Sequence, residues 1–187
     1  MNDKKKIIFL DRDGTLNIDT GYTYKPTDLQ LEKNVIEGLN LLQKNDFEFI
    51  IVTNQSGIAR GYYTEDEYFK FQEQLLNKLK SNDINILASY FCPYHPTKGI
   101  GKYKQDSLLR KPATGMLEAA ARQFPINKDD SWMIGDKWID IQTGINFGIK
   151  QILVQTGKNG SDIEHQTTPT FIAKDLINAA ELIISYK

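Results

Sequence analysis

The residues of this chain best suited to chemistry lie near its start. In KKIIFLDRDGTLN, Lys5 to Asn17, a short apolar run ends in Asp11 and Asp13, with Gly14 and Thr15 directly after. Two carboxylates that close repel, and neither gains from burial without a neighbouring cation. Other apolar runs also end in polar groups: Thr53 and Asn54 close FEFIIVTN, and Asp136 and Asp140 sit in IGDKWID. Lys111 stands in LRKP. Clustered carboxylates suit Mg²⁺, which takes hard oxygen ligands and is often held by one or two carboxylates plus a substrate phosphate. Lys111 supplies a second positive charge, and backbone N–H groups after Asp11 and at Asn54 can receive phosphate oxygens. Together these groups suit a phosphoryl group. A carboxylate can itself attack phosphorus to give an aspartyl-phosphate, and Asp11, at a strand tip, is the candidate. Asp13 points the same way if strand geometry continues. It can give a proton to an alkoxide leaving group and take one from the water that follows.

The elements that must position these groups can be read from the same sequence. Ile7–Leu10 reads as a buried strand, 47–53 as a second, 86–91 as a third, SWMIGD as a fourth, KQILVQT as a fifth and TFIA as a short sixth. Between them, Asn34 and Glu37 read as a capping box opening one helix, and Thr64 and Glu67 as another. Tyr68, Phe71, Leu75 and Leu79 recur at helical spacing. Pro112 suits the first turn of a helix through GMLEAAARQF, and a last helix spans 176–184. Strands alternating with helices predict an α/β fold, a parallel sheet covered on both faces. Ligands then sit beyond the C-terminal strand ends, at the topological switch point. Asp11, Asp13, Thr53, Asn54, Asp136 and Asp140 all fall on that edge. A surface turn would explain the first pair alone, but not this convergence.

Bulk properties narrow the partners. The chain has 187 residues, 40% hydrophobic and 25% charged, with a net charge of −1. This predicts one domain, residues 1–187, with no basic field for nucleic acid or an anionic membrane. A single cysteine, Cys92, forbids an intrachain disulfide and is compatible with a cytoplasmic location. The apolar run at the start is too short for a signal peptide, and no stretch is long enough to span a bilayer. Nothing in the composition demands more than a monomer. His165 falls in a polar stretch that reads as a loop, with no assigned role.

FLDRDGTLN resembles the first motif of the haloacid dehalogenase (HAD) phosphatase superfamily, IIVTNQSG the second, the Lys111 of LRKP the third and IGDKWID the fourth. The four occur in order over residues 7 to 140. With DTGY, VTNQSGIARG, CPYHP, RKPATGM and GDKWID, the chain more closely resembles the D-glycero-D-manno-heptose 1,7-bisphosphate 7-phosphatase family, whose relative is histidinol-phosphate phosphatase. The resemblance implies a three-layer, Rossmann-like parallel sheet, Asp11 as nucleophile and Asp13 as acid/base. It implies Mg²⁺ on the Asp11 carboxylate, the Asp13 carbonyl and Asp136, with Asp140 behind. Thr53 and Lys111 would stabilise the phosphoryl group, and Arg110 would read a small phosphorylated sugar. Arg12, Asp19, Thr20, Gly21, Tyr22, Asn54, Gln55, Ser56 and Lys137 would also contact it. Lys137 equally suits a structural pairing with Asp140.

The chain departs from this family at a zinc loop. Cys92 is present, but Tyr94 stands where the family has histidine, and Ser107 and Leu109 stand where it has cysteines. His95 is one place off. At most two soft ligands remain, short of the four a closed zinc site needs, so no structural zinc is expected. Packing of Ile100, Tyr103 and Leu108 would hold the loop instead. The gaps after strands one and three are too short for a cap domain. Lys98, Lys102 and Lys104 of the loop could meet a second phosphate or simply be solvated. Two other readings share parts of the pattern. A receiver domain also uses an aspartyl-phosphate, but carries its phosphoacceptor after a middle strand. A nucleic-acid 3′-phosphatase would want interleaved aromatic and basic residues.

Overall fold

The structure, a computed structural model, describes residues 4–161 and 168–186; His165 lies outside them. Six strands form one parallel sheet: β1 (Lys6–Leu10), β2 (Phe47–Asn54), β3 (Ile86–Cys92), β4 (Trp132–Gly135), β5 (Lys150–Val154) and β6 (Phe171–Ala173). Their spatial order is β3-β2-β1-β4-β5-β6, so the chain reverses direction across the sheet between β1 and β4. Ile8 pairs with Phe49 on one side and Trp132 on the other.

Strand alternation sorts the core into two layers. Ile8, Leu10, Phe49 and Ile51 face α1 (Val35–Gln43), α3 (Glu65–Lys80) and α6 (Leu176–Ser185). Ile7, Phe9, Ile50 and Val52 face α4 (Gly115–Gln123) and α5 (Trp138–Phe147). Both faces are therefore dry, which is why these strands read as unbroken apolar runs. A one-turn helix, α2 (Ser56–Ala59), follows β2. In segments 11–34 and 93–114 the described helical structure is one three-residue 3₁₀ turn each, at Pro26–Asp28 and Gly101–Tyr103; neither builds a cap with its own core.

Local chemistry explains where the elements start. Thr64 and Glu67 form the expected reciprocal capping box on α3. Asn34 does not cap α1. Its backbone is left-handed, at φ 60°, and its side chain instead donates to Asp175 at 2.6 Å. Asp175 in turn caps α6 by accepting from Asn178 N–H, so the starts of α1 and α6 are tied together. Pro112 does not open α4, which begins at Gly115. The preceding segment is a turn, closed by Ala113 N–H to Arg110 C=O, because Lys111 must reach back to β2.

The loop from Pro93 to Leu109 is held differently from expectation. Ile100 and Leu108 are 64% and 82% exposed. Only Tyr103 packs, against the Ile58, Tyr63 and Tyr68 cluster, with its hydroxyl on Glu65 at 2.7 Å. Backbone bonds carry the rest: Ile100 N–H to Ala59 C=O and His95 N–H to Tyr103 C=O.

Gly38 lies where α1 crosses the start of α6; a Cβ there would sit 2.7 Å from the Leu176 backbone. Gly38→Ala gains about 1 kcal/mol of helix propensity but forces apart two backbones, an overpacking cost of about 1–3 kcal/mol. Urea denaturation should show a net loss of stability.

Candidate active site

Lys111 is the centre of the site. Its ammonium is buried and contacts three oxygens: Asp11 Oδ1 at 2.8 Å, Asp140 Oδ1 at 2.6 Å and the Val52 carbonyl at 2.9 Å. Asn54 fixes its backbone, accepting from Lys111 N–H at 3.0 Å and donating to its carbonyl at 3.1 Å. Burial would discharge this lysine, but Asp11 and Asp140 outweigh it and keep it protonated. Burial would likewise raise Asp11, yet Lys111 and then Lys137 hold its carboxyl below the usual range. Asp11 thus remains an anion at neutral pH in a dry setting. Its N–H donates to Ile134 C=O at 2.9 Å, which locks the tip of β1 to β4.

Asp13 is oriented by a separate shell. Its oxygens accept from Arg12 Nη2 at 2.9 Å, Asn17 Nδ2 at 3.0 Å and Gln55 Nε2 at 2.9 Å. Gln55 also donates to Thr53 Oγ1 at 2.8 Å and accepts from the Tyr63 hydroxyl. Burial raises the Tyr63 phenol, so it stays a donor. Arg12 departs from expectation. Its side chain is fully buried, beneath the Phe71 ring at 4.6 Å from the centroid, and bonds the Thr23 carbonyl at 3.0 Å. It faces the core rather than a ligand, and what it supplies is the position of Asp13.

Asp136 follows β4 and is wholly buried. Its Oδ2 accepts from Lys158 N–H at 2.7 Å, and a Cβ on Gly14 or Gly157 would come within 2.3 Å of that oxygen. Only glycine leaves the carboxylate room on both sides, and both residues have positive φ. Desolvation, then Asp11, raises Asp136 to about 7; the same two causes raise Asp140 to about 6. Asp140 accepts from Lys137 N–H at 3.1 Å at the start of α5. Lys137 turns its ammonium toward the Asp13 carbonyl at 3.2 Å, Asp136 Oδ1 at 3.3 Å and Asp11 Oδ2 at 3.8 Å. These three hard oxygens therefore already face one cation, which is the donor chemistry Mg²⁺ requires. Asp140, paired with Lys111, lies behind them.

Two adjoining chambers open here. The inner, about 130 Å³, is lined by Asp11, Asp13, Thr53, Asn54, Arg110, Lys111, Lys137 and Ile139. The outer, about 280 Å³, shares Asp13, Asn54 and Lys137 and adds Asp19, Gly21, Tyr22, Gln55, Ser56, Tyr63 and Lys158. Arg110 reaches its edge by donating to Ser56 Oγ at 2.9 Å and the Tyr94 carbonyl at 3.2 Å. Thr20 lies outside both chambers, its hydroxyl turned to Thr23 at 3.0 Å. None of Lys98, Lys102 and Lys104 lines either chamber. Tyr63, Lys158, Asn17 and Gly157 were not anticipated. Tyr63 lies two residues past the quoted VTNQSGIARG run, and Lys158 and Gly157 lie beyond the fourth motif, where nothing marks them.

Beside the loop, Cys92 is buried with its thiol toward the Tyr94 carbonyl at 3.8 Å. His95 Nδ1 accepts from the Thr97 and Lys98 N–H groups. Among the described residues, the cluster of metal-capable side chains is Asp11, Asp136 and Asp140.

Comparison with known proteins agrees with this geometry. Residues 108–179 match the HAD-hydrolase-like family model. The chain is 44% identical over 154 residues to the D-glycero-beta-D-manno-heptose-1,7-bisphosphate 7-phosphatase of Haemophilus influenzae, covering 82% of this chain and 83% of the relative. It is 36% identical over 183 residues to the alpha-named counterpart from Photorhabdus laumondii, covering 97% and 98%. The D,D-heptose 1,7-bisphosphate phosphatase of B. bronchiseptica, solved with magnesium and phosphate, superposes with a TM-score of 0.84 at 26% identity, over 97% of this chain and 99% of that one. With four motifs in order, one sheet edge that gathers them and relatives at this identity over most of its length, the chain belongs to the heptose-1,7-bisphosphate 7-phosphatase family of HAD phosphatases.

Proposed function

We propose that the chain is a Mg²⁺-dependent phosphomonoesterase that removes the 7-phosphate of D-glycero-D-manno-heptose 1,7-bisphosphate through an aspartyl-phosphate on Asp11. The observation that carries this reading is the meeting of Asp11, Asp13, Thr53 and Lys111 around one inner chamber, with Asp136 clustered against Asp11, in a chain whose relatives bear that name. Asp11, Asp136 and the Asp13 carbonyl would hold the metal, which supplies charge neutralisation for the phosphoryl oxygens and their approach to a carboxylate.

The remaining work falls to the chain itself. Asp11 attacks phosphorus through Oδ1, the oxygen beside the Lys111 ammonium at 2.8 Å, while Oδ2 faces the metal position. Lys111, the Thr53 hydroxyl and the N–H groups after Asp11 and at Asn54 receive charge that grows on the phosphoryl oxygens. Asp13, fixed by Arg12, Asn17 and Gln55, protonates the leaving sugar oxygen. It then takes a proton from the water that attacks the acyl-phosphate, and this returns Asp11 to its carboxylate form. The chamber is open on the outer side, where Asp19, Tyr22, Ser56 and Arg110 would meet the sugar. The cytoplasm is the compartment proposed. No zinc is assigned to the loop, since the His95 nitrogen Nδ1 and the Cys92 thiol already have backbone partners.

The decisive assay is phosphate release with Mg²⁺ from both heptose bisphosphate anomers, histidinol phosphate and common sugar phosphates. A heptose bisphosphate should be turned over fastest; preference for histidinol phosphate by orders of magnitude would reverse the assignment. Asp11→Asn should lose all phosphate release, because an amide cannot form the intermediate. Asp13→Asn should lose about 10²- to 10⁴-fold in kcat while still binding Mg²⁺, because its metal contact is a backbone carbonyl.

The acidic cluster also sets a pH response. Asp136 titrates near 7 when folded and near 3.8 when unfolded, so the native state binds more protons between those values. Stability of the metal-free protein should therefore fall as pH rises from about 4 to 7 and level off above. Urea midpoints in EDTA should show this fall, and Asp136→Asn should flatten most of it.

A further inference from the structure

Lys111 and Lys137 are both cations among carboxylates, but they are held differently. Lys111 is 2% exposed and has three oxygens within 2.9 Å. Lys137 has a side chain 20% exposed and makes one hydrogen bond, to the Asp13 carbonyl at 3.2 Å, with longer contacts to Asp136 and Asp11. Those three partners are the oxygens assigned above to the metal. A fourth oxygen, Asp19 Oδ2, lies 4.0 Å from the same ammonium on the side of the outer chamber. Asp19 is held in place by the Gly21 N–H at 2.8 Å. The Lys137 backbone is itself fixed, since its N–H is held by Asp140. Only its flexible stem is free to turn.

We propose that Lys137 is the resident counter-cation of the metal position, and that it gives up this place when a divalent cation binds, swinging outward to Asp19 with its ammonium in the outer chamber. This rests on the metal site in the reading above. Three oxygens that point at one ammonium cannot also coordinate a dication at about 2.0–2.1 Å without the ammonium leaving. Asp136 Oδ1 is buried with no hydrogen-bond donor, so without metal the Lys137 charge is its compensation. The outward position has a waiting carboxylate and lies against the chamber where an anionic substrate enters. Metal loading would thus convert an internal neutralising charge into a substrate-facing one, and phosphate binding would follow metal binding in order.

The test uses the full chain, wild type and Lys137→Met, with MgCl₂ titrated by calorimetry without substrate. If the lysine competes for the position, the variant should bind Mg²⁺ about tenfold more tightly, as removal of a competing cation requires. Its thermal midpoint in EDTA should fall below that of the wild type, and saturating Mg²⁺ should close the gap. A lysine that merely supports the fold would lower both midpoints alike. Crystals grown in EDTA and in MgCl₂ should show Nζ near Asp136 in the first and near Asp19 in the second. Unchanged or weaker Mg²⁺ affinity in the variant, or Nζ remaining on Asp136 in the loaded crystal, overturns the exchange while leaving the phosphatase reading intact. Failure of the wild type to bind Mg²⁺ at all overturns both.

Discussion

A buried ammonium between two buried carboxylates constrains everything else in this molecule. Lys111 cannot hold its charge in a dry interior without Asp11 and Asp140, and neither carboxylate could remain ionised there without it. Breaking such a pair by removing one member costs about 3–5 kcal/mol, because the survivor is stranded. The fold must therefore deliver Asp11 and Asp140, from distant points of the chain, to within 2.8 Å of the Lys111 ammonium. It does so with the tip of β1, the first turn of α5 and a turn pinned by Asn54 at the end of β2. Stability and the ionisation of Asp11 are thus set by the same contacts.

The parallel sheet makes this delivery inexpensive in sequence terms. Parallel strands end on one side, and at the reversal between β1 and β4 the connections diverge and leave a crevice. Asp11 and Asp136 follow the two strands that flank it, so both carboxylates reach the crevice without any special loop. The negative charge so concentrated is then balanced in layers: Lys111 behind Asp11, Arg12 behind Asp13 and Lys137 in front. Each cation has its own acceptor atoms, which gives Asp11 and Asp13 distinct surroundings although they are two residues apart.

Strands with both faces buried announce themselves as continuous apolar runs, so β1, β2, β4 and β5 were legible in the residues, and so was the edge on which the polar groups converge. Asp11, Asp13, Thr53 and Asp136 were legible for a related reason: polar groups directly after apolar runs have few structural explanations, and Lys111 was legible as the cation such a carboxylate cluster needs. Roles that depend on side-chain direction were not legible. Arg12 sits between two site aspartates, yet its guanidinium goes to the core, because residues adjacent along an extended segment point to opposite sides. Asn34 has the spacing of a helix cap, but a left-handed backbone turned its side chain to Asp175. Pro112 has the look of a first helical residue, but the need to dock Lys111 on Asn54 put it in a turn. Tyr63 and Lys158 reach the cavity through loops whose paths have no periodicity to read.

The burial of Arg12 links two properties usually treated apart. Its guanidinium is clamped by aromatic rings of α3 and by the Thr23 carbonyl, and through it the Asp13 carboxylate is aimed. The packing of Tyr68 and Phe71 therefore bears directly on how Asp13 is held. Under the proposed mechanism, sequence drift in what looks like ordinary hydrophobic interior would surface first as slower turnover rather than as unfolding, in a helix that lines neither chamber.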